Sequence, residues 1–217
     1  MTKLWNFTRY DSYITISVLR NWNSKGQLVY KDEYAGLECP GCKRIDEMAA
    51  LSKGIRLGKI RSKKLIFDST DSFTVISSSL LKVPPFNSST LFNVYNFTDT
   101  VDYSIIIPKI LIKPALKSGF VRHLGRSCRI CKRYKEILIG GHKRFRMPFP
   151  KSGPMAFAYA LENNQGLNLF WYISEEILRE IRSIKPKLNR LCIIPFEFLD
   201  WYKKLGTTNN GKGLFYK

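Results

Sequence analysis

Apolar residues along this chain occur in short runs that are separated by charged or turn-forming segments, such as residues 21–26. Runs rich in aromatic and β-branched residues and bounded by Gly, Pro, Asn or Ser predict β-strands. The predicted strands cover residues 3–19, 27–34, 105–112, 137–139, 167–173 and 191–198. Pro108 interrupts the third of these runs and predicts an edge strand, because proline cannot donate a ladder hydrogen bond.

Helical spacing is clearest in the segment that follows the aromatic run 167–173. An apolar stripe at helical spacing predicts a helix over residues 175–184; its members are Ile177, Leu178, Ile181 and Ile184. Ser174 suits the N-cap, and Glu175 and Glu176 lie where the helix macrodipole favours negative charge. A second, short helix is predicted at residues 77–81. Few helices among many strands predict an α+β fold with mainly antiparallel strands.

Length and composition are consistent with a folded chain that contains a substantial core. The chain has 217 residues, of which 44% are hydrophobic. We expect a single domain over residues 1–205 and a flexible tail over residues 206–217, which are rich in Gly, Thr and Asn. No apolar run approaches the roughly 20 residues of a membrane span, and residues 1–10 contain no signal-peptide core. A cytoplasmic location with reduced thiols is the expectation.

The charge is strongly positive. Thirty-six Lys and Arg residues against 17 Asp and Glu residues give a formal net charge of +19. Such a field favours acidic partners, whether nucleic acid, an anionic membrane surface or an acidic protein, and composition alone does not distinguish among them.

Four of the five cysteines form two Cys-x-x-Cys pairs, Cys39 with Cys42 and Cys128 with Cys131. Each pair places two sulfur atoms on one side of a tight turn, and two such knuckles complete a tetrahedral thiolate site of the kind that binds structural zinc. Residues 43–127 separate the pairs, far more than the roughly 15–20 residues of a compact zinc ribbon. The prediction is therefore one shared structural Zn²⁺, held together by tertiary structure.

Other interpretations of these residues stay open at the level of sequence. The four thiols could be unligated, or either pair could be a redox dithiol, although neither precedes a strong helix. His123 or His142 could replace a thiolate, but a surface histidine is favoured. Cys192 lies in an apolar run and is expected in the core. Four thiolates leave no open metal position for water, and no nucleophile–base constellation is apparent, so the chain is predicted not to be an enzyme.

Two basic stretches, residues 53–64 and 122–135, provide candidate contacts to a partner. The candidate partner-binding residues are Lys59, Arg61, Lys63, Arg129, Lys132 and Arg133. A solvated basic face is the simpler interpretation of each stretch on its own, because charge clustering without a groove-reading motif is a weak indication of nucleic-acid binding.

The order of these parts resembles the bacterial double-CxxCG immunity proteins of toxin–immunity cassettes. The resemblance lies in the early Cys39-Pro40-Gly41-Cys42 knuckle, the later knuckle from Cys128 to Cys131, and the closing strand, Ser174-capped helix and strand. Lys43 and Lys132 depart from the family, which has glycine after each second cysteine.

The resemblance implies a cytoplasmic, zinc-containing protein that binds and neutralises one cognate toxin domain. With the charge of +19, the expected toxin surface is acidic. The alternative is a basic, zinc-containing nucleic-acid-binding protein. Neither function involves a membrane.

Overall fold

Short β-strands make up most of the regular structure, as the short apolar runs predict. The computed structural model describes residues 4–8, 17–57, 65–71, 73–112, 121–139, 153–163, 166–184 and 192–196. In these ranges the strands are β1 (Leu4–Thr8), β2 (Arg20–Trp22), β3 (Leu28–Tyr30), β4 (Ile66–Asp68), β5 (Thr74–Ser77), β6 (Phe92–Asn96), β7 (Tyr103–Pro108), β8 (Ile110–Ile112), β9 (Val121–Ser127), β10 (Tyr134–Ile139), β11 (Ala156–Asn163), β12 (Gly166–Ser174) and β13 (Cys192–Phe196). The predicted tail, residues 206–217, lies outside these ranges.

Three helices occur in the same ranges, and a side chain caps the start of each of the first two. They are α1 (Glu47–Lys53), α2 (Ser78–Leu81) and α3 (Glu175–Ile184). The Asp46 side chain caps α1 by accepting from the Ala49 N–H, and the Ser77 side chain caps α2 by accepting from the Leu80 N–H. Both helices predicted from the sequence are confirmed. The fold is of the α+β class, with mainly antiparallel sheets.

The first sheet has five strands in the order β13-β1-β12-β11-β8. All neighbours are antiparallel except β8 and β11. Since β12 and β13 both pair antiparallel with β1, helix α3 connects two parallel strands that have β1 between them. The predicted strand–helix–strand segment is thus confirmed, and the insertion of β1 into it is a tertiary feature. The Ile177, Leu178 and Ile181 side chains of α3 are buried.

The second sheet has four antiparallel strands in the order β4-β5-β7-β6. The expectation that residues 105–112 form an edge strand is wrong for its first part, because β7 lies between β5 and β6. The run divides at Pro108, and β8 becomes an edge strand of the five-stranded sheet. Pro108 is the last residue of β7 and pairs with Phe92, two residues beyond Ile106, where the ladder to β5 ends. Proline is tolerated there because the β5 ladder is already complete.

The two sheets share buried side chains. Phe92 of the four-stranded sheet stacks on Trp171 of the five-stranded sheet, with ring centroids 5.6 Å apart and an interplanar angle of 23°. Both rings are almost fully buried. An aromatic pair of this kind contributes about 0.5–1.5 kcal/mol beyond its burial, so this contact joins the hydrophobic surfaces of the two sheets.

Two hairpins, β2–β3 and β9–β10, lie outside these sheets. The predicted strand over residues 27–34 is shorter than expected, because β3 ends at Tyr30 and a 3-10 helix covers Asp32–Tyr34. Of the predicted strand over residues 3–19, Leu4–Thr8 forms β1 and Val18 and Leu19 form a buried bend, whereas residues 3 and 9–16 lie outside the described ranges. The chain from β3 through the 3-10 helix leads directly into the first cysteine pair.

Candidate metal centre

The first cysteine pair lies in a tight hairpin over residues 38–45. Glu38 and Ile45 form an antiparallel bridge at its base. The Cys39 N–H donates to the Arg44 carbonyl at 2.7 Å, and the Lys43 N–H donates to the Cys39 carbonyl at 2.8 Å. Lys43 has a φ of 60°, in the left-handed region. These bonds bend the chain so that both sulfurs lie on the same side.

The second pair lies in an equivalent hairpin over residues 127–134, at the tip of β9–β10. Ser127 pairs with Tyr134 at its base. The Cys128 N–H donates to the Arg133 carbonyl at 2.8 Å, and the Lys132 N–H donates to the Cys128 carbonyl at 3.0 Å. Lys132 has the same φ of 60°. Each hydrogen bond and bridge of the first knuckle recurs here at the matching position, so Cys-x-x-Cys-Lys-Arg is a repeated structural unit.

The two knuckles bring all four sulfurs into one cluster. The Sγ atoms of Cys39 and Cys128 are 3.7 Å apart, and those of Cys42 and Cys131 are 3.6 Å apart. All four lie within 4.8 Å of one another. A tetrahedron with Zn–S bonds of about 2.3 Å has sulfur–sulfur edges of about 3.8 Å. The cluster therefore has the size and composition of a four-thiolate metal site.

The thiols of the cluster differ in acidity. The backbone N–H of Cys42 points at the Cys39 sulfur and lowers the pKa of Cys39 to about 6. The backbone N–H of Cys131 lowers the pKa of Cys128 in the same way. Burial, in contrast, raises the pKa of Cys42 to about 11. Four thiolates in one cluster need a positive charge among them, and a divalent metal ion supplies it.

Gly41 allows the two knuckles to approach each other. A Cβ atom at this position would lie 3.1 Å from the Cys128 sulfur and 3.2 Å from the Cδ1 atom of Ile130. Both of these atoms belong to the second knuckle. A larger residue here would push these atoms of the second knuckle away by a few tenths of an ångström, so glycine at this position favours the close approach of the Cys128 sulfur.

Arg133 provides a second connection between the knuckles. Its Nη1 atom donates to the Ile45 carbonyl of the first knuckle at 2.7 Å and lies 3.6 Å from a carboxylate oxygen of Glu47. The Glu47 side chain is only 6% exposed. A buried carboxylate requires a cationic or hydrogen-bonding partner, so Arg133 couples the second knuckle to the start of helix α1.

A cavity of about 830 Å³ lies against both knuckles and the β2–β3 hairpin. We call it the inter-knuckle cavity. Its lining residues are Tyr30, Gly41, Cys42, Lys43, Arg44, Arg126, Cys128, Arg129, Ile130 and Arg133. Five of these carry a positive charge and none is acidic.

The structure places the predicted site residues in three groups. The four predicted metal ligands come together. Arg129 and Arg133 line the inter-knuckle cavity, whereas the exposed Lys132 directs its ammonium group to the Arg129 carbonyl at 2.7 Å. The third group, Lys59, Arg61 and Lys63, lies outside the described residues, as does His142. The backbones of His123 in β9 and Cys192 in β13 are described, but their side chains are not.

Arg126 lies in the predicted basic stretch 122–135, but sequence reasoning missed five other residues of this region: Gly41 beside the second knuckle, and Tyr30, Lys43, Arg44 and Ile130 in the cavity lining. The signal that was available is the repeat of Lys-Arg after both cysteine pairs. It marks two structurally equivalent turns, and therefore predicts that the side chains around them converge.

The left-handed lysines lead to a stability prediction. A non-glycine residue in this region costs roughly 1 kcal/mol relative to glycine, so Lys43→Gly is expected to stabilise the metal-bound protein by up to about 1 kcal/mol. Lys132→Gly should gain less, because it also loses the bond to the Arg129 carbonyl. Urea unfolding measures both effects.

The matched control for this test is Lys25→Gly, in an exposed turn without positive φ. There the added backbone freedom of glycine should destabilise the protein slightly. Equal losses for Lys43→Gly and Lys25→Gly would contradict the left-handed conformation of the knuckle.

No protein-family model matches this chain, and comparisons with curated proteins and with solved structures found no match for it. In the described part of the chain, no helix is long and apolar enough to cross a membrane. Because no matching protein was found, only the residues and the geometry of the four-cysteine cluster bear on its chemistry.

Proposed function

We propose that the four cysteines bind one structural Zn²⁺ and that the chain is a zinc-stabilised binding protein rather than an enzyme. The observation that carries the proposal is the convergence of four sulfurs from two equivalent knuckles that are far apart in sequence. Four thiolates fill the tetrahedral positions of zinc, so no position is left for water or substrate. Thiolate ligands in tetrahedral geometry select zinc or iron among the common metals.

The metal assignment is tested by elemental analysis of the protein purified from cells grown with both metals. The expected result is one zinc per chain and a colourless protein, with four of the five thiols protected from a thiol reagent until the metal is removed. A coloured protein that contains one iron per chain would contradict the zinc assignment and keep the four-cysteine site. Full thiol reactivity without any metal would contradict both.

We propose further that the partner is the toxin domain of a bacterial toxin–immunity cassette, and that binding in the cytosol neutralises it. Support comes from the order of the parts: an early knuckle, a late knuckle, and the closing β12–α3–β13 segment with Ser174 before the helix. The net charge of +19 suits a toxin with an acidic surface. A toxin domain can be neutralised by tight binding to a complementary surface. Zinc would keep the two knuckles rigid, and a rigid surface loses less conformational entropy on binding.

The test is co-expression with the toxin domain encoded by the adjacent open reading frame. The expected result is growth rescue by the parent chain, and loss of rescue by Cys39→Ser, which removes a ligand. A noncognate toxin domain serves as the control and should not be neutralised. Absence of any toxin-like neighbour, or failure of the parent chain to rescue growth, would contradict the toxin assignment.

The second candidate function is nucleic-acid binding, which the +19 charge favours. It requires affinity for mixed-sequence DNA or RNA that falls steeply with salt concentration, because phosphate contacts release counterions. A flat titration at low salt would exclude this candidate.

A further inference from the structure

The inter-knuckle cavity contains cations that have no acidic partner in the described part of the chain. Lys43, Arg126 and Arg129 are exposed, and none of them forms an ion pair with a described residue. Like charges held close together repel one another in the free protein. An anionic occupant would relieve this repulsion, so the positive potential of the cavity favours binding of a negatively charged group.

The same cavity exposes an apolar side chain. Ile130, between the cysteines of the second knuckle, is 59% exposed and lies beside Gly41 of the first knuckle. Tyr30 adds an aromatic ring, one face of which is covered by the Arg20 guanidinium group at 4.9 Å from the ring centroid. An occupant that buries Ile130 therefore gains hydrophobic free energy in addition to charge pairing.

These two features favour a protein segment over a nucleic acid. Carboxylate side chains and apolar side chains alternate readily in a peptide, whereas a phosphodiester backbone offers no apolar group to Ile130. Nucleic-acid-binding grooves stack successive bases on several aromatic side chains, whereas Tyr30 is the one aromatic residue among the described residues that line the cavity, and Arg20 covers one of its faces. A volume of about 830 Å³ accommodates a few side chains, not a duplex.

We propose that the inter-knuckle cavity receives an acidic segment of a protein partner, whose carboxylates pair with Lys43, Arg126 and Arg129 and whose apolar side chain packs on Ile130. This inference rests on the proposed role as a binding protein and specifies the chemistry of the partner. It also gives the proposed zinc ion a function, because a zinc ion bound by both knuckles would hold the two halves of the binding surface at a fixed separation.

The probe for this surface is a short, fluorescently labelled peptide of repeating Glu-Glu-Leu, and binding is followed by fluorescence anisotropy at low and high salt. The control peptide is Gln-Gln-Leu, which has the same shape without charge, and the competitor is a single-stranded oligonucleotide. Binding of the acidic peptide, weakened by salt and absent for the Gln peptide, is the expected result. No binding at low salt, or tighter binding of the oligonucleotide, would overturn the proposal.

Matched variants localise the binding to the cavity. Arg126→Gln/Arg129→Gln is expected to weaken peptide binding about tenfold, the effect of two lost charge pairs. Lys82→Gln/Lys109→Gln removes the same charge from exposed positions that do not line the cavity, and should change the affinity less than twofold. Equal losses for the two double variants would show a general charge effect and overturn the proposal.

Ile130→Ser tests the apolar contact and should weaken peptide binding several-fold at both salt concentrations. Zinc content is measured for every variant, so that loss of the metal is distinguished from loss of the surface. Arg126 lies outside the Cys-x-x-Cys turn, and Arg126→Gln alone keeps the test valid if Arg129→Gln disturbs the knuckle. If Arg126→Gln/Arg129→Gln neutralises the toxin domain as well as the parent chain does, the cavity proposal is wrong and the proposed function stands.

Discussion

Cys39→Ser and Cys128→Ser are each expected to abolish metal binding and to lower the melting temperature of the whole chain by at least about 10 °C. Structural zinc contributes about 10–16 kcal/mol of binding free energy in zinc-finger peptides, which is as large as the stability of a typical domain. A metal ion bound by all four cysteines would close a loop between residues that are 89 positions apart, so its loss would release long-range contacts as well as a local turn. Elemental analysis and thermal unfolding measure the two effects.

The double variant Cys39→Ser/Cys128→Ser sharpens this test. If one metal ion uses both cysteines, the second substitution adds little to the first, because the site is already lost. Two separate two-cysteine sites would give additive losses. Cys192→Ser is the control, since Cys192 belongs to neither Cys-x-x-Cys pair of the sequence, and it should keep the parent metal content. Either single variant that retains zinc and the parent melting temperature would contradict a shared site.

Asp71→Ala is expected to lower the free energy of unfolding by about 3–5 kcal/mol, the usual cost of breaking a buried charge network. Asp71 is 6% exposed. Its Oδ2 atom accepts from the Ser17 hydroxyl at 2.6 Å and from the Val18 and Leu19 N–H groups at 2.7 and 3.0 Å. Arg20 lies 3.8 Å from its other oxygen. Removal of the carboxylate would leave two backbone donors and a largely buried guanidinium group without this acceptor.

The same substitution should also affect the inter-knuckle cavity, because Asp71 positions the start of the β2–β3 hairpin, which carries Tyr30. Urea unfolding measures the stability change, and Asp71→Asn should lose less than Asp71→Ala because its amide oxygen still accepts. Asp102→Ala, at an exposed aspartate, is the control and should change the stability by less than about 0.5 kcal/mol. A similarly small effect for Asp71→Ala would contradict the structural role of this network.

The local elements that short-range signals specify were predictable from the sequence. Helix α3 was predicted with its bounds, because its apolar stripe, its acidic first turn and Ser174 before it all act within a few residues. The convergence of the four cysteines was predictable for a similar reason. A Cys-x-x-Cys turn is a local unit, and two such units in one chain indicate one tetrahedral site.

Arrangements between distant segments were decided by tertiary structure. Strand β1 enters between β12 and β13, and the run around Pro108 supplies an inner strand to one sheet and an edge strand to the other. The hydrophobic periodicity of a strand shows which of its faces is apolar, but it does not show which other strand is its neighbour. Strand pairing depends on contacts between residues that are far apart along the chain.

The four-cysteine cluster shows both contributions in one place. The sequence by itself determined the ligand chemistry, since four cysteines at this spacing indicate a thiolate site. Only the tertiary structure decided that the knuckles are equivalent, that Gly41 lets them meet, and that Arg133 links the second knuckle to Glu47. The physical reason is the separation of 89 residues: local hydrogen bonds shape each knuckle, but only the folded core brings the four sulfur atoms to within 4.8 Å of one another.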